Sequence, residues 1–161
     1  MNNHRIIFMG SPIIASEYLQ VLTKNNLNVI GVYTQPPRPK GRGMLVQNSP
    51  VADEAFKQGI PVYHPKNFND KKNIDTFIKL NPDLVVVMAY GILLPDKILS
   101  CPEFGCINIH LSFLPSWRGA APVEHALLNG DKKTGVTIFK LVSKLDAGPI
   151  ISQSLLSIED N

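Results

Sequence analysis

Along the chain, apolar residues fall into short runs separated by breaks rich in Pro, Gly and Asn, and their spacing switches between strand-like and helix-like periods. Residues 5–9 read as a short apolar strand. Ser11 then suits a helix N-cap and Pro12 a first helical turn, with a helix expected to about Lys24 whose apolar face carries Ile14, Tyr18 and Leu22. A strand over 28–34 completes a β-α-β unit. Residues 35–48 are expected to lack regular structure, because Pro36, Pro37, Pro39, Gly41 and Gly43 interrupt them. Ser49 and Pro50 open a helix that ends near Gln58, with Gly59 as its stop. A strand over 60–63 and a helix over 69–80 follow.

Residues 83–89, D-L-V-V-V-M-A, form an unbroken apolar run, as suits a central parallel strand buried on both faces. A further strand is expected at 106–109, a helix at 121–128 closed by Asn129 and Gly130, a strand at 134–142 alternating at Val136, Ile138 and Leu141, and a last strand at 150–154. This alternation implies an α/β fold, a Rossmann-like open and mostly parallel sheet with helices on both faces. The fingerprint G-x-G-x-x-G is absent, since Ser11, Pro12 and Ile13 follow Gly10, so a dinucleotide is not expected.

Composition adds little to this picture. One domain is expected from 161 residues, 44% of them hydrophobic, and a net charge of +3 is too small to imply nucleic-acid binding by itself. Locally the picture differs, because Arg38, Lys40 and Arg42 make the 35–48 segment basic. Cys101 and Cys106 have no partners at zinc-site spacing, so no metal is expected. No apolar run approaches a membrane span and no signal peptide opens the chain, so a cytoplasmic or organelle-matrix location is expected, with no membrane partner. The chain ends soon after its last strand, which suggests a piece of a longer protein.

The chemistry concentrates in residues 105–119, G-C-I-N-I-H-L-S-F-L-P-S-W-R-G. Side chains alternate along a strand, so Asn108 and His110 project on one side while Ile107 and Ile109 pack on the other. An amide can donate to a carbonyl oxygen, and an imidazole can move a proton near neutral pH. Asn108 lies in an apolar strand and needs a partner there. A histidine at a strand end is often structural, and Asp146, in a turn before Ala147 and Gly148, is as readily a turn former; the glycine would also let the backbone approach a ligand closely. Ser112 lacks the G-x-S-x-G elbow of a serine hydrolase. The loop after the 83–89 run reads either as a clasp for a flat heterocycle or as an ordinary turn whose leucines plug the core.

The run N-I-H-L-S-F-L-P-S-W-R-G-A-A-P, with T-G-V-T-I and L-D-A-G after it, resembles the formyltransferase family that uses 10-formyltetrahydrofolate. The segments T-Q-P-P-R-P-K-G-R-G, A-Y-G-I-L-L-P and F-M-G-S-P resemble that family's basic loop, folate loop and opening strand. Pro37 stands where the family usually has Asp. The likeness covers essentially the whole chain and is closest to the branch whose acceptor is initiator methionyl-tRNA. It implies a catalytic trio of Asn108, His110 and Asp146. It also implies folate contacts from Met88, Ala89, Tyr90, Gly91, Ile92, Leu93, Leu94 and Pro95, and tRNA contacts from Arg38, Lys40 and Arg42. It implies 10-formyltetrahydrofolate as co-substrate without a metal, a monomer, and a C-terminal tRNA-binding barrel that this chain does not include. Same-fold alternatives are an enzyme acting on a sugar-nucleotide amine or glycinamide ribonucleotide, and a folate-binding module without turnover.

Overall fold

A computed structural model describes residues 3–159. The fold is α/β and its sheet is mostly parallel, as the apolar pattern implies. The chain divides into two compact units, one up to Cys106 and one from Ile107 on.

The first unit is built on β1 (Ile6–Gly10), β2 (Val29–Tyr33), β5 (Val62–Tyr63) and β6 (Leu84–Met88), which lie side by side in the order β5-β2-β1-β6. All three ladders are parallel. Every residue of β1 is buried, and Ile7, Phe8 and Met9 are wholly so. A strand covered on both faces has no polar side to show, which is why its sequence does not alternate. Each large side chain so enclosed contributes about 1.5–3 kcal/mol of burial. The crossover helices are α1 (Ile13–Lys24), α2 (Pro50–Lys57) and α3 (Lys71–Lys79), and a short α4 (Asp96–Leu99), not expected from the pattern, follows β6.

Helix α1 buries Ala15, Ser16 and Leu19, while Ile14, Tyr18 and Leu22 are only half-buried. The face against the sheet is thus one position away from the expected stripe, and small residues there let the helix sit close. Ser11 is not its cap. The N-cap is Pro12 and receives no side-chain hydrogen bond. Ser49, by contrast, caps α2 as expected, accepting from Ala52 N at 3.0 Å. The segment 35–48 is not irregular throughout: β3 (Arg38–Lys40) and β4 (Leu45–Gln47) form an antiparallel hairpin in which Pro39 faces Val46. A two-stranded ribbon leaves half its backbone donors pointing outward, so a proline costs it little.

The second unit contains α5 (Pro122–Leu128), β8 (Lys133–Lys140) and β9 (Ile150–Ser157), with β7 (Cys106–His110) running into it. Order β7-β8-β9 is antiparallel throughout. The expected phase of β8 is reversed: Gly135, Thr137 and Phe139 are buried, and Val136 and Ile138 half-buried. Strand β9 is also longer than expected.

Among the described residues, no helix is long and apolar enough to cross a membrane. Nor do three His, Cys, Asp or Glu side chains gather there as a metal site would require.

Candidate active site

In the second unit, β7 delivers Asn108 and His110 two residues apart on one side of the strand. His110 is buried, 6% exposed, and lies edge-on to Phe139 of β8, with ring centroids 6.4 Å apart. Its Nε2 is 2.8 Å from the Trp117 carbonyl oxygen. A carbonyl only accepts, so Nε2 carries the proton and donates. This bond turns Nδ1 toward Asp146, whose Oδ2 is 3.9 Å away. The separation is too long for a direct hydrogen bond and leaves the two groups in close electrostatic contact.

Asp146 is 8% exposed and is held by a second bond from the same loop, Gly119 N to Oδ2 at 2.7 Å. Residues 117–119 therefore orient both partners, the imidazole through a carbonyl and the carboxylate through an amide. Trp117 and Asp146 both have left-handed backbones, with φ of 54° and 43°. That conformation costs a non-glycine residue about 1–2 kcal/mol, so the surroundings must hold it. Trp117 is anchored by Nε1 donating to Asp131 Oδ2 at 2.7 Å and by stacking on His125, with centroids 5.6 Å apart. The Asp131 carboxyl lies below the usual carboxylate range because Asn129 and then Trp117 donate to it.

The loop before Trp117 is fastened too. Ser112 Oγ donates to Ser116 O at 2.6 Å. Thr137 Oγ1 donates to Ser112 O at 2.7 Å and accepts from Leu114 N at 3.0 Å and from Gln153 Nε2 at 3.0 Å. Sequence reasoning missed Thr137 and Gln153. The one available signal was a hydroxyl at a position that β8 buries.

Asn108 is half-buried. Its amide keeps contact with solvent, which relieves the need for an internal partner and leaves a donor available to a ligand. The small residues after Asp146 serve packing: a Cβ on Gly148 would overlap the Lys140 carbonyl oxygen.

In the first unit the β1, β2 and β6 ends are tied through Ser11. Its hydroxyl lies 3.5 Å from Tyr90 O and accepts from Gln35 N at 3.3 Å. Gln35 Nε2 donates to Tyr90 O at 3.0 Å. Thr34 Oγ1 reaches Ser49 Oγ at 2.6 Å. The loop after β6 and the start of the basic segment are thus fastened to each other. Gly91 has a left-handed φ of 74°, which favours glycine, and a Cβ there would push Gln35 Nε2 off its bond to Tyr90 O.

Within that loop, Met88 and Tyr90 are buried, while Ala89, Gly91 and Leu93 are exposed and Ile92, Leu94 and Pro95 half-buried. Met88 and Tyr90 are thus enclosed as whole residues, and the Tyr90 carbonyl already accepts from Gln35 Nε2. Tyr90 packs its ring inward with no partner for its hydroxyl, and burial pushes that hydroxyl's pKa up. Arg38, Lys40 and Arg42 are exposed, the first two on one side of β3 and Arg42 in the turn.

Comparison with known proteins gives this geometry a family. Residues 4–161 match the family model described as formyl transferase. The chain is 45% identical over 155 residues to a methionyl-tRNA formyltransferase of Thermotoga neapolitana, covering 96% of this chain and 50% of that protein. A Clostridioides difficile methionyl-tRNA formyltransferase is likewise 45% identical, over 98% of this chain and 51% of its own length. The chain thus spans about half the length of the curated relatives it matches. Among solved structures, phosphoribosylglycinamide formyltransferase from Bacillus halodurans superposes with a TM-score of 0.78 at 26% identity, over 97% of this chain and 81% of that one. A formyltetrahydrofolate deformylase from Pseudomonas syringae gives 0.69 at 25% identity, over 98% and 52%. Family model, relatives and neighbours agree, and the chain belongs to the formyl transferase family.

Proposed function

We propose that this chain is the catalytic part of an enzyme that moves the formyl group of 10-formyltetrahydrofolate to the α-amino group of methionyl initiator tRNA. The observation that carries the reading is the buried His110–Asp146 pair, 3.9 Å apart and oriented from both sides by one loop. In the reaction the amine nitrogen bonds to the formyl carbon and the bond from that carbon to the folate nitrogen breaks. Its electron pair stays with the folate nitrogen, which gains the proton that the amine loses.

Negative charge gathers on the formyl oxygen as the amine attacks, and stabilising it is the main task of the site. Asn108 supplies the donor. Both ring nitrogens of His110 face protein groups, so His110 acts as a positive charge beside that oxygen rather than as a free donor. Asp146 holds the imidazolium and takes up the amine's proton. The pterin ring lies against the loop from Met88 to Pro95, where Ala89 and Gly91 expose backbone and Ile92, Leu93, Leu94 and Pro95 give apolar surface. Arg38, Lys40 and Arg42 of the hairpin contact phosphates of the acceptor end. Relatives at 45% identity favour tRNA over the ribonucleotide acceptor of the structural neighbours.

Formyl transfer from 10-formyltetrahydrofolate, run in parallel with methionyl-tRNA, glycinamide ribonucleotide and a sugar-nucleotide amine, tests this. Formyl-methionyl-tRNA is the expected product. The apparent tRNA affinity should fall with salt, at a log–log slope of about −0.9 per phosphate contact in duplex. Transfer only to one of the small amines would overturn the tRNA assignment.

A further inference from the structure

Gln153 stands on β9 with no place in the catalytic trio, yet its side chain reaches the loop that orients the trio. Its Nε2 donates to Leu114 O at 2.9 Å and to Thr137 Oγ1 at 3.0 Å. The polarity of this contact is fixed. Leu114 O is a carbonyl and only accepts. Thr137 spends its single hydroxyl proton on Ser112 O, so toward Gln153 it too can only accept. The position therefore calls for a donor. Beyond it the chain of contacts continues without a gap. Leu114 is pinned at its carbonyl by Gln153 and at its amide by Thr137, and Ser112 Oγ holds Ser116 O. The next residue, Trp117, presents the carbonyl that holds His110 Nε2, and Gly119 presents the amide that holds Asp146.

We infer that Gln153 is a positioning residue for the transfer step: by donating to Leu114 O and Thr137 Oγ1 it fixes the 112–119 loop, and through the Trp117 carbonyl it fixes the His110 ring. Gln153 touches neither the imidazole nor Asp146, and its effect reaches them only through this loop. The inference rests on the formyl-transfer reading for its kinetic consequence, while its structural consequence does not depend on the acceptor.

The test compares Gln153→Met, which keeps the length and loses the donor, with Gln153→Glu at a pH where the carboxylate is ionised, which keeps the shape and turns acceptor oxygens toward both acceptors. Gln153→Lys restores a donor. In each, the hydrogen-bonded His110 Nε2 proton is followed by NMR, and single-turnover transfer gives the chemical rate. Loss of the donor should displace or broaden the Nε2 proton and lower the rate by about 10- to 100-fold, as misplacements of about an ångström do. The folate KM should stay within about twofold, because only the transition-state interaction is lost. Gln153→Lys should recover part of both. If the Met variant does not fold, the Glu variant carries the same expectation. A folded non-donor variant with the wild-type proton signal and rate overturns the inference, even if its melting temperature drops. If the wild-type chain transfers formyl to no acceptor, the functional reading fails, and the Nε2 proton still decides the role of Gln153.

Discussion

Replacing Asp146 by Asn removes one charge and almost nothing else. The amide oxygen can still accept from Gly119 N, whose bond to Oδ2 is 2.7 Å, so the left-handed turn at 146 keeps its restraint. What disappears is the negative charge 3.9 Å from His110 Nδ1, with both side chains more than nine-tenths buried. At an effective dielectric of about 20, two unit charges at that distance attract by about 4 kcal/mol. If His110 must be cationic as charge develops on the formyl oxygen, that attraction is felt chiefly in the transition state. Each 1.4 kcal/mol or so is a factor of ten, which bounds the loss near about 1000-fold, and solvent screening in a site open to its substrates reduces it toward about 100-fold. Single-turnover formyl transfer is the assay, since it separates chemistry from product release. Folate affinity, measured directly, should change by less than about twofold. A loss of less than about tenfold, in a variant whose Trp117 fluorescence matches the wild type, would refute the ion-pair argument.

Two other perturbations reach the supports of the site. Thr137→Val keeps the shape of a wholly buried residue but leaves the Leu114 amide and Ser112 carbonyl unpaired. At about 1–3 kcal/mol for each orphaned group, roughly 3 kcal/mol is expected, a fall of about 6–12 °C in Tm for a chain of this size, with Thr137→Ser restoring most of it. A calorimetric Tm within about 2 °C of the wild type would contradict the hydrogen-bond assignment. Asp131 makes the loop sensitive to acid. Its carboxyl is held low by Asn129 and Trp117, so the stabilisation is fully present above the unfolded-state value near about 4 and is lost as pH falls through the depressed folded value. Trp117 is the single tryptophan, so its fluorescence should report that transition in acid, and Asp131→Asn should abolish it. Identical titration curves for the two proteins would count against the anchor.

Much of the fold is legible because burial leaves a continuous trace. The runs that became β1 and β6 are apolar at every position, and no other buried element of that length fits between their turn signals. The errors occur where two physical uses compete for one residue type. Ser11 has the chemistry of a cap, but the Gln35 amide and Tyr90 carbonyl claim its hydroxyl. Proline argues against strands in general, but Pro39 lies in a two-stranded ribbon with solvent on both edges. In β8 the apolar alternation of Val136 and Ile138 points to the wrong face, because the buried face carries Gly135 and Thr137. A Cβ on that glycine would meet Ser154 O at 2.5 Å.

The site divides along the same line. Asn108 and His110 follow from strand period alone, since two residues apart on one strand means one side of the sheet. Asp146 joins them across 36 residues of chain, a distance no local pattern spans; its turn before Ala147 and Gly148 made it a candidate, and only the family resemblance gave it a catalytic role. The supports are harder still to read. Thr137 and Gln153 act on backbone carbonyls and amides, which every residue possesses, so nothing in the partner's identity marks the pair. Their requirement is a hydroxyl that can donate once and accept twice, and beside it a side chain that donates to two acceptors. That requirement becomes visible only when the loop is closed and each buried carbonyl and amide is asked for its partner. It is also why the loss of one proton donor on β9 can be felt at an imidazole on β7, with no side-chain contact between them.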